Sequence, residues 1–251
     1  METMKFIMDA RRVFVRVLFA AGLAGWAMAS HAATIVADFN GDGRSDTATI
    51  TAASGSISIA HGGGGTTSYG VPANWLTISA VEVNGVAGAE FVVTYAGTVV
   101  WVVDDRARAT RLYLVDALGS GRVVSFSEMN GVAGNEVALI YNNGNVWVIN
   151  DRARRTSLYH VPAIGSGGGP RYVRIAEFNG TAGNEIMFSY VDGTSYVVDE
   201  RLRTTRAYFY ITSGGAPTYA NVDGVAGLEA IFNYTFGQVW IVDRTRSVLY
   251  R

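Results

Sequence analysis

The chain contains no cysteine in 251 residues. Disulfides and thiolate metal centres are therefore excluded, leaving a packed core, or a bound metal, to hold the fold. Basic excess is missing as well. Beyond residue 32 the chain carries sixteen arginines, no lysine and nineteen acids, a formal charge of about −3. Nothing in that balance calls for a nucleic-acid partner. Histidine is scarce, with only His61 and His160 in that region, in unrelated contexts. Gly-x-Ser-x-Gly, His-Glu-x-x-His and phosphate-cradling loops are absent, which argues against the enzymes those motifs serve. No stretch after residue 33 keeps a helical period, and proline occurs only 4 times.

What is present begins with an export-like N-terminus. Lys5, Arg11, Arg12 and Arg16 precede an apolar run over 17–28, and Ser30-His31-Ala32 offers small residues at a signal-peptidase site. The run is shorter than the roughly 20 apolar residues of a membrane-spanning helix. Residues 1–32 are therefore expected to be a signal peptide, and 33–251 a single domain. The product is expected to be secreted or periplasmic, with no membrane span after cleavage. An uncleaved N-terminal anchor is the competing reading.

The rest of the chain repeats. Asn84 to Glu90 (NGVAGAE), Asn130 to Glu136 (NGVAGNE), Asn179 to Glu185 (NGTAGNE) and Asp223 to Glu229 (DGVAGLE) are near copies. Asn40 to Asp46 (NGDGRSD) is a fifth, and successive starts lie 44, 46, 49 and 44 residues apart. In phase with them come Tyr95, Tyr141, Tyr190 and Tyr234, then Trp101, Trp147, Tyr196 and Trp240. An acid-and-arginine turn follows (DDRAR at 104–108, NDRAR at 150–154, DERLR at 199–203), and then Tyr113, Tyr159 and Tyr208. Gly, Asn and Asp between β-rich runs are hairpin signals. In the fourth copy they delimit strands at 172–178, 185–190, 195–198 and 207–211. Four-stranded units of about 44–49 residues are the mark of propeller blades. The expected fold is all-β, a β-propeller of five four-stranded blades. A closed ring implies a monomer; an open array that closes by oligomerising is the alternative.

The first copy carries metal-like chemistry. Asp38, Asn40, Asp42 and Asp46 place oxygen side chains at positions 1, 3, 5 and 9 of a glycine-containing loop, with the Arg44 carbonyl at position 7. Hard cations such as Ca²⁺ take six to eight oxygens in that alternating pattern; a hydrogen-bonded Asx turn is the alternative. The loop DFNGDGRSD resembles the FG-GAP or VCBS repeats of the integrin α-subunit propeller and its bacterial relatives. That resemblance spans about residues 34–251, although only the first copy is whole. It implies a Ca²⁺-stabilised, extracellular, non-catalytic ligand-binding propeller, with Asp38, Asn40, Asp42, Arg44 and Asp46 as the ion's ligands. In the other copies position 5 is Val86, Val132, Thr181 or Val225. Those loops are expected to be metal-free, their Asn and Glu side chains bonding backbone amides instead.

Two surfaces could bind a ligand. One is the arginine turns, above all Arg106, Arg152 and Arg201, which suit carboxylate, sulfate or phosphate. The alternative there is pairing of each arginine with the adjacent acids. The other is the strand-end tyrosines Tyr95, Tyr141, Tyr190 and Tyr234, where a sugar ring could stack; the alternative is core between blades. Together these make the chain a candidate carbohydrate- or protein-binding module, its partner a glycan or an extracellular protein. A structural scaffold of a cell-surface assembly is the rival reading, and a glycan-cleaving enzyme with paired carboxylates a further one.

Overall fold

The computed structural model describes residues 32–73, 75–95, 98–116, 122–162, 170–190, 194–209, 217–233, 239–242 and 247–250. The signal-peptide expectation therefore lies outside the described residues, apart from Ala32, where the first strand begins. So do the tips of most second hairpins, the glycine-rich connectors and Tyr234. Among the described residues no helix is long and apolar enough to cross a membrane.

The architecture is a β-propeller of five four-stranded antiparallel sheets, each a simple meander in chain order. The first blade is Ala32–Ala37, Asp46–Thr51, Ser56–Ala60 and Thr66–Gly70. The second is Thr77–Val81, Glu90–Thr94, Val99–Asp104 and Ala109–Leu114. The third runs Arg122–Ser127, Glu136–Tyr141, Asn145–Asn150 and Arg155–His160. The fourth is Pro170–Ala176, Glu185–Tyr190, Thr194–Asp199 and Thr204–Phe209, and the fifth Thr218–Ala220, Glu229–Asn233, Val239–Val242 and Ser247–Tyr250.

The sequence places the fourth strand of the fourth blade three residues too late. Thr204 pairs with Asp199 directly across the turn, so the strand starts at once. No glycine marks that turn, because Arg203 itself takes the left-handed conformation, as do Arg108 and Arg154 (φ 51–54°).

Core lies in the seams between blades. The second strands of the second to fourth blades read as near-continuous apolar runs because both of their faces are covered. In the third blade Val137 and Leu139 pack on Val92, Val100 and Val102 of the second. Ala138 and Ile140, pointing the other way, pack on Ile186 and Phe188 of the fourth. Phe91 and Val93 cover Ile50 and Ile57 of the first blade, with Phe39 stacked on Phe91 at 4.3 Å. Each seam removes large apolar side chains from water at about 25 cal/mol per Å². Trp101, Trp147 and Tyr196 are half-buried against these clusters, as expected of inter-blade aromatics.

Candidate functional site

Meander order puts the repeated loop, between strands one and two, on the same face as the acid-and-arginine turn, between strands three and four. Two sets of contacts organise that face.

The repeated loop is a latch between blades. Its ninth residue folds back on its second: Asp46 accepts the Phe39 amide at 2.9 Å, and Glu90, Glu136, Glu185 and Glu229 accept those of Val83, Met129, Phe178 and Val222 at 2.7–2.8 Å. The third-position asparagine donates to the same carboxylate, at 2.7 Å from Asn84 to Glu90 and 2.6 Å from Asn179 to Glu185. Each loop then bonds its predecessor. The amides of Ala89, Asn135, Asn184 and Leu228 donate to the carbonyls of Asp38, Glu82, Glu128 and Glu177 at 2.7–3.2 Å. The Asn and Glu side chains of the Val- and Thr-containing loops thus bond backbone amides, as the sequence suggests.

Burial governs the ionisation of these clamps. It pushes Glu90 up to about 8, with the charges of Asp104, Glu82 and Asp151 adding to it, and Glu136 and Glu185 up to about 7. Burial also opposes the charge on Asp46. There, however, the amides of Gly62 and Phe39 and the neighbouring His61 outweigh it, and Asp46 sits below the usual range.

The first loop differs in its mouth. Asp38 accepts the amides of Gly41 (2.7 Å), Asp42 (3.1 Å) and Gly43 (2.8 Å). Asn40 accepts that of Asp42 at 2.9 Å, and Asp42 that of Arg44 at 2.8 Å. Asp38, Asn40 and Asp42 therefore share one tight turn; Asp38 Oδ1 already accepts two amides, while Asp38 Oδ2 and the Asn40 and Asp42 Oδ1 atoms each hold one amide and keep a lone pair. Asp46 is fully buried, with its oxygens on the Phe39 and Gly62 amides. Three of the four side chains suited to Ca²⁺ line one turn while the fourth clamps the loop base, so the donor set fits the ion in part. Among the described residues no group of three or more ionisable ligands converges on one point.

The second set of contacts is a clasp that the sequence reading missed. The acid at the second position of each turn reaches the fourth strand of the preceding blade. Asp105 takes the hydroxyls of Thr67 (2.6 Å) and Tyr69 (2.7 Å). Asp151 takes Tyr113 (2.5 Å) and Arg111 (2.8 Å), and Glu200 takes Tyr159 (2.6 Å) and Arg155 (2.7 Å). The signal was present in the fixed spacing of Tyr113 and Tyr159 and in the acid kept at the second position of each turn (Asp105, Asp151, Glu200).

These clasps change the account of the arginines. The turn acids Asp104, Asp105, Asp151, Asp199 and Glu200 are buried, so pairing of Arg106, Arg152 and Arg201 with them does not form. Instead each of the three sends one Nη to a carbonyl of its own latch loop: Ala87 (3.0 Å), Ala133 (3.2 Å) and Ala182 (3.2 Å). All three are exposed, as are Arg108, Arg154 and Arg203 beside them. A guanidinium has five donors in a fixed fork, and that carbonyl takes one Nη of each exposed arginine.

The tyrosine surface takes its inter-blade alternative. Tyr95, Tyr141 and Tyr190 are only 7%, 3% and 3% exposed, and Tyr141 and Tyr190 donate to the carbonyls of Asp116 (3.1 Å) and Pro162 (2.8 Å). Their rings fill seams and offer no face to a sugar. Tyr234 lies outside the described residues.

No protein-family model matches the chain, and no curated protein matches it. Among solved structures it is similar to BBS1N in complex with ARL6DN, at 11% identity over 86% of this chain and 81% of that one, TM-score 0.42. It is also similar to virginiamycin B lyase from Staphylococcus aureus (11% identity, 88% of this chain and 74% of that one, TM-score 0.41). The WD40 domain of SCAP from fission yeast is a third (8% identity, 88% and 66%, TM-score 0.37).

Proposed function

We propose that this chain is an exported, non-catalytic binding module that takes acidic groups of a glycan or an extracellular protein on its row of arginines. One observation carries the reading: Arg106, Arg152 and Arg201 repeat at equivalent places in successive blades, exposed, with the acids beside them buried and bonded elsewhere. Arginine forks grip carboxylate or sulfate in a bidentate way, and repetition along a face lets several weak contacts act together. The N-terminal sequence supports export. The first loop supports a stabilising Ca²⁺ held by Asp38, Asn40, Asp42 and the Arg44 carbonyl, with Asp46 bracing the base; the ion would tie down an exposed turn, not take part in chemistry.

Binding of the full chain to immobilised sulfated glycan and to poly-glutamate, beside the Arg106→Ala/Arg152→Ala/Arg201→Ala variant, tests the proposal. A loss of tenfold or more in the folded variant is expected. Equal binding by the two proteins overturns the arginine site. A scaffold role is the second reading, favoured because the repeated Asn, Glu and Tyr residues are consumed by seams. Failure of the parent to bind either polymer at high concentration would support it.

A further inference from the structure

In the second to fourth blades one face of the sheet packs on the blade before it, and the register shows which residues form that face. In the second blade a row runs Ile78, Val93, Trp101, Leu112 across the four strands. In the third blade the equivalent row is Val124, Leu139, Trp147, Leu158. Both rows are apolar, and their first three members lie against the preceding blade, while Leu112 and Leu158 on the outer strand are exposed. In the fifth blade Phe232 of the same row packs against the fourth.

In the first blade the same row is Thr34, Thr49, Ser58, Ser68. The next row is Val36, Thr47, Ala60, Thr66, in place of Ala80, Phe91, Val103 and Thr110. Thr51 stands where the second to fourth blades have the seam tyrosines Tyr95, Tyr141 and Tyr190. Thr34, Thr47, Thr49, Thr66 and Ser68 are all exposed, and Val36 is 47% exposed. The opposite face of the same strands, Ala48, Ile50, Ile57 and Ile59, is completely buried against the second blade.

The latch gives a second, independent observation. Loops two to five have glycine at position 7, which lies against the preceding loop: a Cβ on Gly227 would come 2.9 Å from the Gly180 nitrogen. The first loop has Arg44 there, and a side chain has no room in that approach. At the other end, Gly41, Gly85 and Gly131 lie against a carbonyl of the following loop, whereas Gly224 of the fifth blade has nothing within 4 Å.

We infer that the first blade is a capping repeat whose hydroxyl-rich face stays in water, so that the fifth blade does not close on it and the five blades form an open arc. The physical reason is direct. Burying a sheet of threonine and serine hydroxyls against an apolar seam would strand donors and acceptors without partners, while a polar outer face is what a terminal repeat needs.

The absence of cysteine makes the test clean. In the full chain, Thr49→Cys is expected to react with a maleimide as fast as a solvent-exposed thiol, independent of protein concentration. Thr49→Arg is expected to melt within about 2 °C of the parent, whereas Leu139→Arg, at the equivalent place in the third blade, loses 10 °C or more or does not fold. Protection of the thiol overturns the cap. Protection that persists on dilution identifies closure by the fifth blade, and protection lost on dilution identifies a second copy. A large drop in melting temperature for Thr49→Arg also counts against the cap.

Discussion

Tyr113 of the second blade donates its hydroxyl to Asp151 of the third at 2.5 Å, and both side chains are buried. The same pair recurs as Tyr69 with Asp105 and Tyr159 with Glu200. The carboxylate in turn holds the phenol protonated: burial first, then the hydrogen bond to Asp151, pushes Tyr113 far above the ordinary tyrosine range. Beside the latch, a seam whose core is non-directional apolar contact thus gains a second fixed point that sets the registry of one blade on the next.

Removing that hydroxyl leaves a buried carboxylate oxygen short of a donor, a loss of about 1–3 kcal/mol. Tyr113→Phe is expected to lower the unfolding free energy by that amount in denaturant titration. Tyr69→Phe is expected to cost less, because Thr67 still donates to the same Asp105 oxygen.

Glycine substitutions in the latch separate close approach from backbone conformation. Gly85 and Gly224 share nearly the same left-handed φ (78° and 77°), which costs a side chain about 1–2 kcal/mol. A Cβ on Gly85 would also lie 2.3 Å from the Ala133 carbonyl and 2.6 Å from Arg152, while one on Gly224 meets nothing. Gly224→Ala is expected to show the conformational cost alone, and Gly85→Ala at least about twice as much. Equal losses for the two would show that the latch does not hold blades together.

Stability should depend on pH in an unusual direction. Glu90 is raised from 4.5 to about 8, and Glu136 and Glu185 to about 7. A raised carboxyl favours the folded state while it stays protonated, and that advantage is lost as pH climbs from about 4.5 through the folded value. Each group contributes up to about 1.4 kcal/mol per pH unit in that window. The unfolding free energy is therefore expected to fall by several kcal/mol between pH 5 and pH 8 as the three groups act together, and Glu136→Gln to flatten the profile in part. Asp46 acts oppositely: its lowered pKa gives stability that is lost only on strong acidification. A profile that is flat from pH 5 to pH 8 would contradict the buried-clamp assignment.

Calcium titration calorimetry after EDTA treatment examines the first loop. One site per chain, lost in Asp42→Ala, is the expected result. Asp42 is exposed and takes part in no seam, so that variant should keep its melting temperature in EDTA. Four or five sites would mean that the Val- and Thr-containing loops also hold the ion; no heat at all would remove Ca²⁺ from the functional reading.

The sequence by itself determined the blade count, the strand pairs and the shared face of loops and turns. These depend on local chemistry: Asn-Gly and Gly-rich turns, and apolar runs long enough for one strand, recurring at a fixed spacing. The seam role of Trp101 and Trp147 was readable for the same reason. That the Glu side chains of the Val- and Thr-containing loops bond backbone amides was readable too; their burial, and what the repeated Tyr and Arg residues do, were decided only by the tertiary structure. Tyr141 at a strand end is ambiguous until the neighbouring blade covers it. Arg106 sits beside two acids in the chain, yet Asp104 turns to Arg111 and Asp105 to the first blade. Partners tens of residues apart are chosen by how one twisted sheet stacks on the next, and no local spacing encodes that choice.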